Sequence, residues 1–339
     1  MSEQANNGCA VDFGVHLIGC ADEAVLPIGM HDYVEALGCC TLVDKTMFIA
    51  DMLDCEAPVM ACCRPEGFGK SMNLSMLKAF LERPAVGRAG QISFADTLIW
   101  GADGGRYRDE YACYPVISLD FSGAARRGAS VVGVVRDALS GECARLMPLL
   151  EAPDLARDKV RHIERVARGV ASEAEVDSVL GVLIELLEMA CDEQVVLLVD
   201  GYDAAWSPSA SARGASGAGP AELLDRVLFD AIATAGHSLR LTCLMGERPG
   251  PAEAALSLRG CSYCLSTPLS TRCDRWFGFS DAEVEALLNH AGREEHLDDA
   301  REWLEGYRFG GAYCSSPARV IGFLDRGCTA PVWVCRLPK

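Results

Sequence analysis

Residues 61–71 read Ala-Cys-Cys-Arg-Pro-Glu-Gly-Phe-Gly-Lys-Ser, and this run constrains the fold more than any other. Residues 57–63 are continuously apolar, as in a strand buried on both faces. The run breaks at Arg64-Pro65 into a turn holding Gly67 and Gly69. Helical spacing then begins at Met72, with Leu74, Leu77, Phe80 and Leu81 on one face. Strand, glycine turn and helix is the order of a phosphate-binding loop, in which backbone N–H groups at the positive helix end surround phosphate oxygens. On this reading Arg64, Gly67, Phe68, Gly69, Lys70, Ser71 and Met72 contact a nucleotide. Lys70 reaches the β and γ phosphates, and the Ser71 hydroxyl ligates Mg²⁺. The generic pattern asks for Gly where this chain has Arg64, and a bare Gly-Lys-Ser also occurs in solvated turns. A second half of the site is therefore required.

Val195-Val196-Leu197-Leu198-Val199-Asp200 supplies one. An apolar strand carrying an acid at its C-terminal end can present that acid, Asp200, to Mg²⁺ beside the phosphate loop. Any core strand followed by an Asp-Gly turn looks similar. Two such motifs in this order, each behind a buried-type strand, favour a nucleotide and Mg²⁺ as ligands.

Further strands are expected at 114–121 and 239–245, and helices at 47–53, 131–150, 152–189 and 223–235. Strands separated by helices imply an α/β fold, a parallel sheet with helices on both faces. Residues 1–25 read as an arm and 26–279 as the core. Residues 280–339 read as a helical lid-like subdomain. Residues 208–219 are rich in Ser, Ala and Gly and read as a loop.

Net charge is −17, which argues against a broad nucleic-acid surface, because phosphate contact needs clustered Lys and Arg. No apolar run approaches the ~20 residues of a membrane span. Residues 1–14 lack the pattern of a secretory leader, so a cytoplasmic location is expected. The 17 cysteines then read as reduced, mostly buried small hydrophobes. Cys261 and Cys264, with Cys273 and His290 beyond, resemble a zinc set that lacks its second close pair, so no zinc is expected.

Several blocks together resemble the bacterial AAA-ATPase-like family, whose members often carry a C-terminal PD-(D/E)XK-type nuclease domain. They are Leu26-Pro27-Ile28-Gly29, Val43-Asp44-Lys45-Thr46, Arg64-Pro65 with Phe68-Gly69-Lys70-Ser71, and Asn73-Leu74-Ser75-Met76-Leu77. Tyr114-Pro115-Val116-Ile117, Asp200 with Tyr202-Asp203, Phe277-Gly278-Phe279-Ser280 and Gly306-Tyr307-Arg308-Phe309-Gly310 follow in the family's order. The resemblance implies a P-loop NTPase fold of the AAA/ASCE-like type, three-layered around a parallel sheet, with a C-terminal helical subdomain. It also implies adenine nucleotide as ligand. No nuclease activity is expected from a sequence ending at Lys339.

The chain departs from the family at chemically important places. Its D-E-Y-D block reads Asp200-Gly201-Tyr202-Asp203, so the Glu that would orient the attacking water is Gly201. Glu66 and Gly67 replace two loop arginines, and Met245-Gly246 stands where Thr-Gly is common. These departures imply Mg–ATP binding with impaired or absent hydrolysis, a switch or scaffold. Two alternatives stand beside this: a slow Mg-dependent ATPase with Asp203 as base, or a structural relic that binds no nucleotide. On the first reading, restoring Glu at position 201 should raise turnover. Arg248, Arg272 and Arg275 are conceivable arginine fingers. A protein partner and an oligomeric state are not legible.

Overall fold

The computed structural model describes residues 14–19, 26–84, 92–125, 130–206, 219–304 and 306–327. Most of the expected arm at 1–25, most of the Ser/Ala/Gly-rich stretch at 208–219, and residues 328–339 lie outside the described residues. Two short strands, β1 (Leu17–Gly19) and β2 (Thr41–Val43), pair antiparallel. Between them lies the helix Tyr33–Cys39, whose N-cap Asp32 accepts from the Glu35 N–H at 2.9 Å. The helix Met47–Leu53 leads into the central sheet.

That sheet contains β3 (Val59–Cys63), β4 (Val116–Asp120), β5 (Val195–Asp200), β6 (Leu239–Gly246) and β7 (Tyr263–Ser266). Every pairing is parallel, in the order β4-β5-β6-β3-β7. β3 and β5 are buried along their whole length, which explains their unbroken apolar sequences: both faces must be covered. Successive side chains alternate between the faces. Ala61, Cys63, Ile117, Leu119, Leu197 and Val199 pack with the helices Val131–Leu146, Glu173–Cys191 and Pro249–Leu258. Met60, Cys62, Leu198, Cys243 and Met245 pack on the other face with Met47–Leu53 and Lys70–Leu81.

The outcome refines the sequence expectations in three places. The stretch 152–189 is two helices, Arg157–Ala167 and Glu173–Cys191, because Gly169 turns at φ +68° and Ser172 opens a new helix with a capping box to Glu175. The edge strand β7 is additional. The described residues after Ser280 include three helices of seven residues or more, Asp281–His290, Leu297–Trp303 and Pro317–Asp325, and also an antiparallel hairpin, β8 (Tyr307–Phe309) with β9 (Ala312–Cys314). Its helices share an apolar cluster of Leu287, Leu288, Leu304, Phe323 and Leu324. Among the described residues no helix is long and apolar enough to cross a membrane.

A parallel sheet brings the C-terminal ends of its strands to one side, where the following loops meet. The loops after β3, β4, β5 and β6 converge there on a cavity of about 990 Å³. That volume falls at the upper end of the ~300–1,000 Å³ typical of small-molecule sites.

Candidate functional site

The turn after β3 is held by its own first residue. Arg64 is fully buried, its guanidinium donating to the Cys63 and Ser266 carbonyls at 2.8 and 2.9 Å and to Ser266 Oγ at 3.0 Å. It also lies 4.9 Å from the Phe277 ring centroid and 5.1 Å from that of Phe309. The Arg64 side chain therefore points under the turn, toward β7, and not into the cavity. What Arg64 offers the site is its carbonyl, which accepts from Lys70 Nζ at 2.8 Å. Arg64→Ala is expected to lower stability by about 3–5 kcal/mol, since it empties the space between two rings and strips donors from buried carbonyls. Arg64→Lys is expected to rescue little, because an ammonium cannot span the same forked set. Urea midpoints of both variants against the native chain check this.

Gly67 and Gly69 have φ of +81° and +76°. At Gly67 the need is double, since a Cβ would lie 3.1 Å from Ala318 Cβ and 3.2 Å from Ser316 Oγ. Those neighbours come from the C-terminal helix: Ser316 Oγ and the Ala318 N–H both donate to the Gly67 carbonyl, at 3.1 and 3.2 Å. Phe68 is buried edge-on against Tyr307 and Phe309, at 4.8 and 4.9 Å. Phe68 thus anchors the turn to the β8–β9 hairpin. Met72 is half-buried and lines the cavity, and Glu66 is exposed at its mouth.

The helix Lys70–Leu81 starts at Gly69 without a side-chain cap, so its first N–H groups open toward the cavity. Lys70 Nζ bonds the Arg64 and Pro65 carbonyls, the latter at 2.9 Å, and lies 3.9 Å from Glu247 Oε1. Burial pushes the Lys70 pKa down, while Glu247, Asp200, Asp203 and Glu66 pull against it. The Ser71 hydroxyl donates directly to Asp200 Oδ2. The two halves read from the sequence, one behind β3 and one behind β5, therefore touch.

Asp200 is 6% exposed. Burial raises its pKa, and the charge of Asp120 adds to this, whereas the Ser71 bond and Lys70 oppose it. A carboxyl whose pKa is raised by folding favours the folded state when protonated. Its penalty begins as pH passes the ordinary carboxylate value and is complete once pH has passed the raised one. Asp200→Asn is expected to stabilise the nucleotide-free chain at pH 7 by about 1 kcal/mol, since Asn can still accept from Ser71. It is expected to remove Mg²⁺-dependent tightening of nucleotide. Thermal melts with and without Mg–ATP measure both.

Asp203 is 4% exposed and tied down: its Oδ2 accepts from the Glu247 and Arg248 N–H groups at 3.2 and 2.9 Å and lies 3.5 Å from Arg248 Nη1. The neighbouring Tyr202 is fully buried and donates to the Arg248 carbonyl at 2.6 Å. The pair staples the loop after β5 to the loop after β6. Asp203 borders the cavity, but its Oδ2 is spent on the protein. Met245 is wholly buried in the core and presents no group to the cavity. Gly201 has φ +68°, and a Cβ there would meet the Ser122 nitrogen at 2.6 Å.

Other sequence blocks join parts of the fold. Buried Asp44 accepts from the Thr46 and Leu98 N–H groups, each at 2.8 Å. Lys45 reaches Glu283 at 2.6 Å and the Arg275 carbonyl at 3.0 Å. Asn73 donates to the Trp276 carbonyl at 2.9 Å, and Trp276 donates to Asp51 at 2.6 Å. Leu26, Pro27 and Ile28 line the cavity together with Ile321 from the C-terminal helix, giving it an apolar end. Cys264 sits on β7, Cys273 is buried with its sulfur 3.7 Å from that of Met60, and His290 bonds Thr41 at 2.9 Å. Among the described residues no cluster of three His, Cys, Asp or Glu could hold a metal ion.

Sequence reasoning missed Asp120. It ends β4, lies in register with Asp200 and borders the same cavity. Its only signal was the acid closing the strand Val116-Ile117-Ser118-Leu119-Asp120.

A five-stranded parallel sheet between helical layers, with a glycine turn and an uncapped helix at its C-terminal edge, defines an α/β protein of the P-loop NTPase-like class. A family model described as "Predicted AAA-ATPase" matches residues 27–246. The chain belongs to this AAA-ATPase-like family. It is also 24% identical over 297 residues to an "Uncharacterized protein in vnfD 5'region" of Azotobacter chroococcum mcd 1, an alignment covering 86% of this chain and 49% of that protein. The chain spans about half the length of this relative.

Proposed function

We propose that this chain binds Mg–ATP in the cavity at the ends of β3 and β5 and acts as a nucleotide-dependent switch or scaffold with impaired hydrolysis. The observation that carries the reading is the direct bond from Ser71 to Asp200, with Lys70 on the same turn. A hydroxyl and a carboxylate in contact are the donor set a hydrated Mg²⁺ takes. The fit extends to the triphosphate, since Lys70 and the open N–H groups of residues 70–72 suit an anion. When bound, Mg²⁺ would neutralise phosphate charge. The apolar end at Leu26, Ile28 and Ile321 suits a base. The impairment is argued from Gly201, which has no side chain to orient water, and from Asp203, whose Oδ2 is occupied.

The test is titration of the purified chain with ATP, with and without Mg²⁺, followed by a phosphate-release assay. Mg²⁺-dependent binding with slow release is expected. No binding would favour the relic reading, and brisk Lys70-dependent release would mean an efficient ATPase.

A further inference from the structure

We infer that Asp120 is the catalytic residue that orients and deprotonates water in whatever hydrolysis this chain performs. The inference rests on the Mg–ATP reading above. It starts from strand order. β4 is the direct neighbour of β5, and Asp120 and Asp200 are register partners at the ends of these two strands. Parallel neighbours run about 4.8 Å apart, and register partners project to the same face. That face is the one on which the helix Lys70–Leu81 packs, since Leu198, two residues before Asp200, belongs to its apolar cluster. Asp200 is buried against Ser71, whereas Asp120 is exposed to the cavity, where water can reach it.

The Asp120 carboxylate is also held. Its Oδ1 accepts from the Ser122 N–H at 2.8 Å, which leaves Oδ2 for water. The competing acids are placed differently. Asp203 is 4% exposed and its Oδ2, besides taking two backbone N–H groups, lies 3.5 Å from Arg248 Nη1, and Glu247 lies against the Lys70 ammonium at 3.9 Å. Position 201 has no side chain. In the step assigned, a water oxygen bonds to the γ-phosphorus. The bond from that phosphorus to the β,γ-bridging oxygen breaks, its electron pair staying on ADP. The water proton passes to Asp120 and then to solvent, and ADP and phosphate leave.

Asp120→Asn keeps the acceptor for Ser122, so the turn should persist. Native, D120N, E247Q and K70A chains are compared for ATP and ADP affinity with Mg²⁺, phosphate release, and the tightening of ADP by aluminium fluoride. In D120N, nucleotide affinity is expected within about threefold of native. Release should fall toward the K70A background, by about 10²-fold where the native rate allows it to be read. The aluminium fluoride tightening should disappear. Asp120→Glu should retain part of both signals. Native release and tightening persisting in D120N would overturn the assignment, as would their loss in E247Q alone. Nucleotide binding with neither signal in the native chain would overturn it while leaving the binding reading intact. No binding by the native chain would remove both.

Discussion

Gly201→Glu is expected to cost the fold about 3–5 kcal/mol and to give no gain in phosphate release. The residue sits at φ +68°, where an L side chain costs about 1–2 kcal/mol. Its Cβ would lie 2.6 Å from the Ser122 nitrogen, 2.8 Å from the Ser122 Cα and 3.0 Å from the Phe121 carbonyl carbon. These are backbone atoms and cannot swing aside, so the remaining strain is that of an overpacked core. The Phe121 N–H bonds the Asp200 carbonyl at 2.8 Å, so moving the 121–122 turn away would pull on the ends of both β4 and β5. Total stabilities are of the order of 5–15 kcal/mol, and such a loss is a large part of one. Urea unfolding of the variant checks this, with Gly201→Ala expected to show most of the same loss. A Glu variant unfolding at the native midpoint and releasing phosphate faster would contradict it.

This reverses the expectation drawn from the sequence, that a single Glu would restore turnover. The chain has lost the side chain and also the room for it. Glu at this place needs the neighbouring turn further off or a different local backbone, and one substitution supplies neither.

The central strands were legible because β3 and β5 are buried on both faces and so read as unbroken apolar runs. The contact between Ser71 and Asp200 was legible for a related reason: both ends of the site lie directly behind such strands. β7 was not, because Tyr263, Cys264 and Leu265 are only half-buried at the sheet edge and leave a weak signal. Missing β7 also hid the role of Arg64. Its acceptors, Cys63 and Ser266, and its ring partners, Phe277 and Phe309, come mostly from far along the chain, so local sequence assigned the guanidinium to a ligand. Asp120 was hidden by strand order. Periodicity shows that β4 exists, but its place beside β5 is decided by packing.

Lys70→Ala is expected to weaken Mg–ATP binding by about 10²–10⁴-fold, with little change in the stability of the nucleotide-free chain. The range follows from two charge-assisted bonds to phosphate at about 1.5–3 kcal/mol each. The surroundings push the loss toward the upper end. Glu66, Asp200, Asp203 and Glu247 all act electrostatically on this one ammonium, so its removal leaves a wall of carboxylates facing a polyanion. Stability should respond differently. The ammonium's burial is itself unfavourable, in keeping with its lowered pKa, while its bonds to the Arg64 and Pro65 carbonyls hold the turn. The two contributions oppose each other, and a net change within about 1 kcal/mol follows. Titration of nucleotide with Mg²⁺, beside a thermal melt without it, separates the effects. Native-like affinity in a folded Lys70→Ala chain would mean that the cavity takes its ligand without this turn. An unfolded variant would mean that Lys70 serves the fold through Arg64 and Pro65 before it serves any ligand.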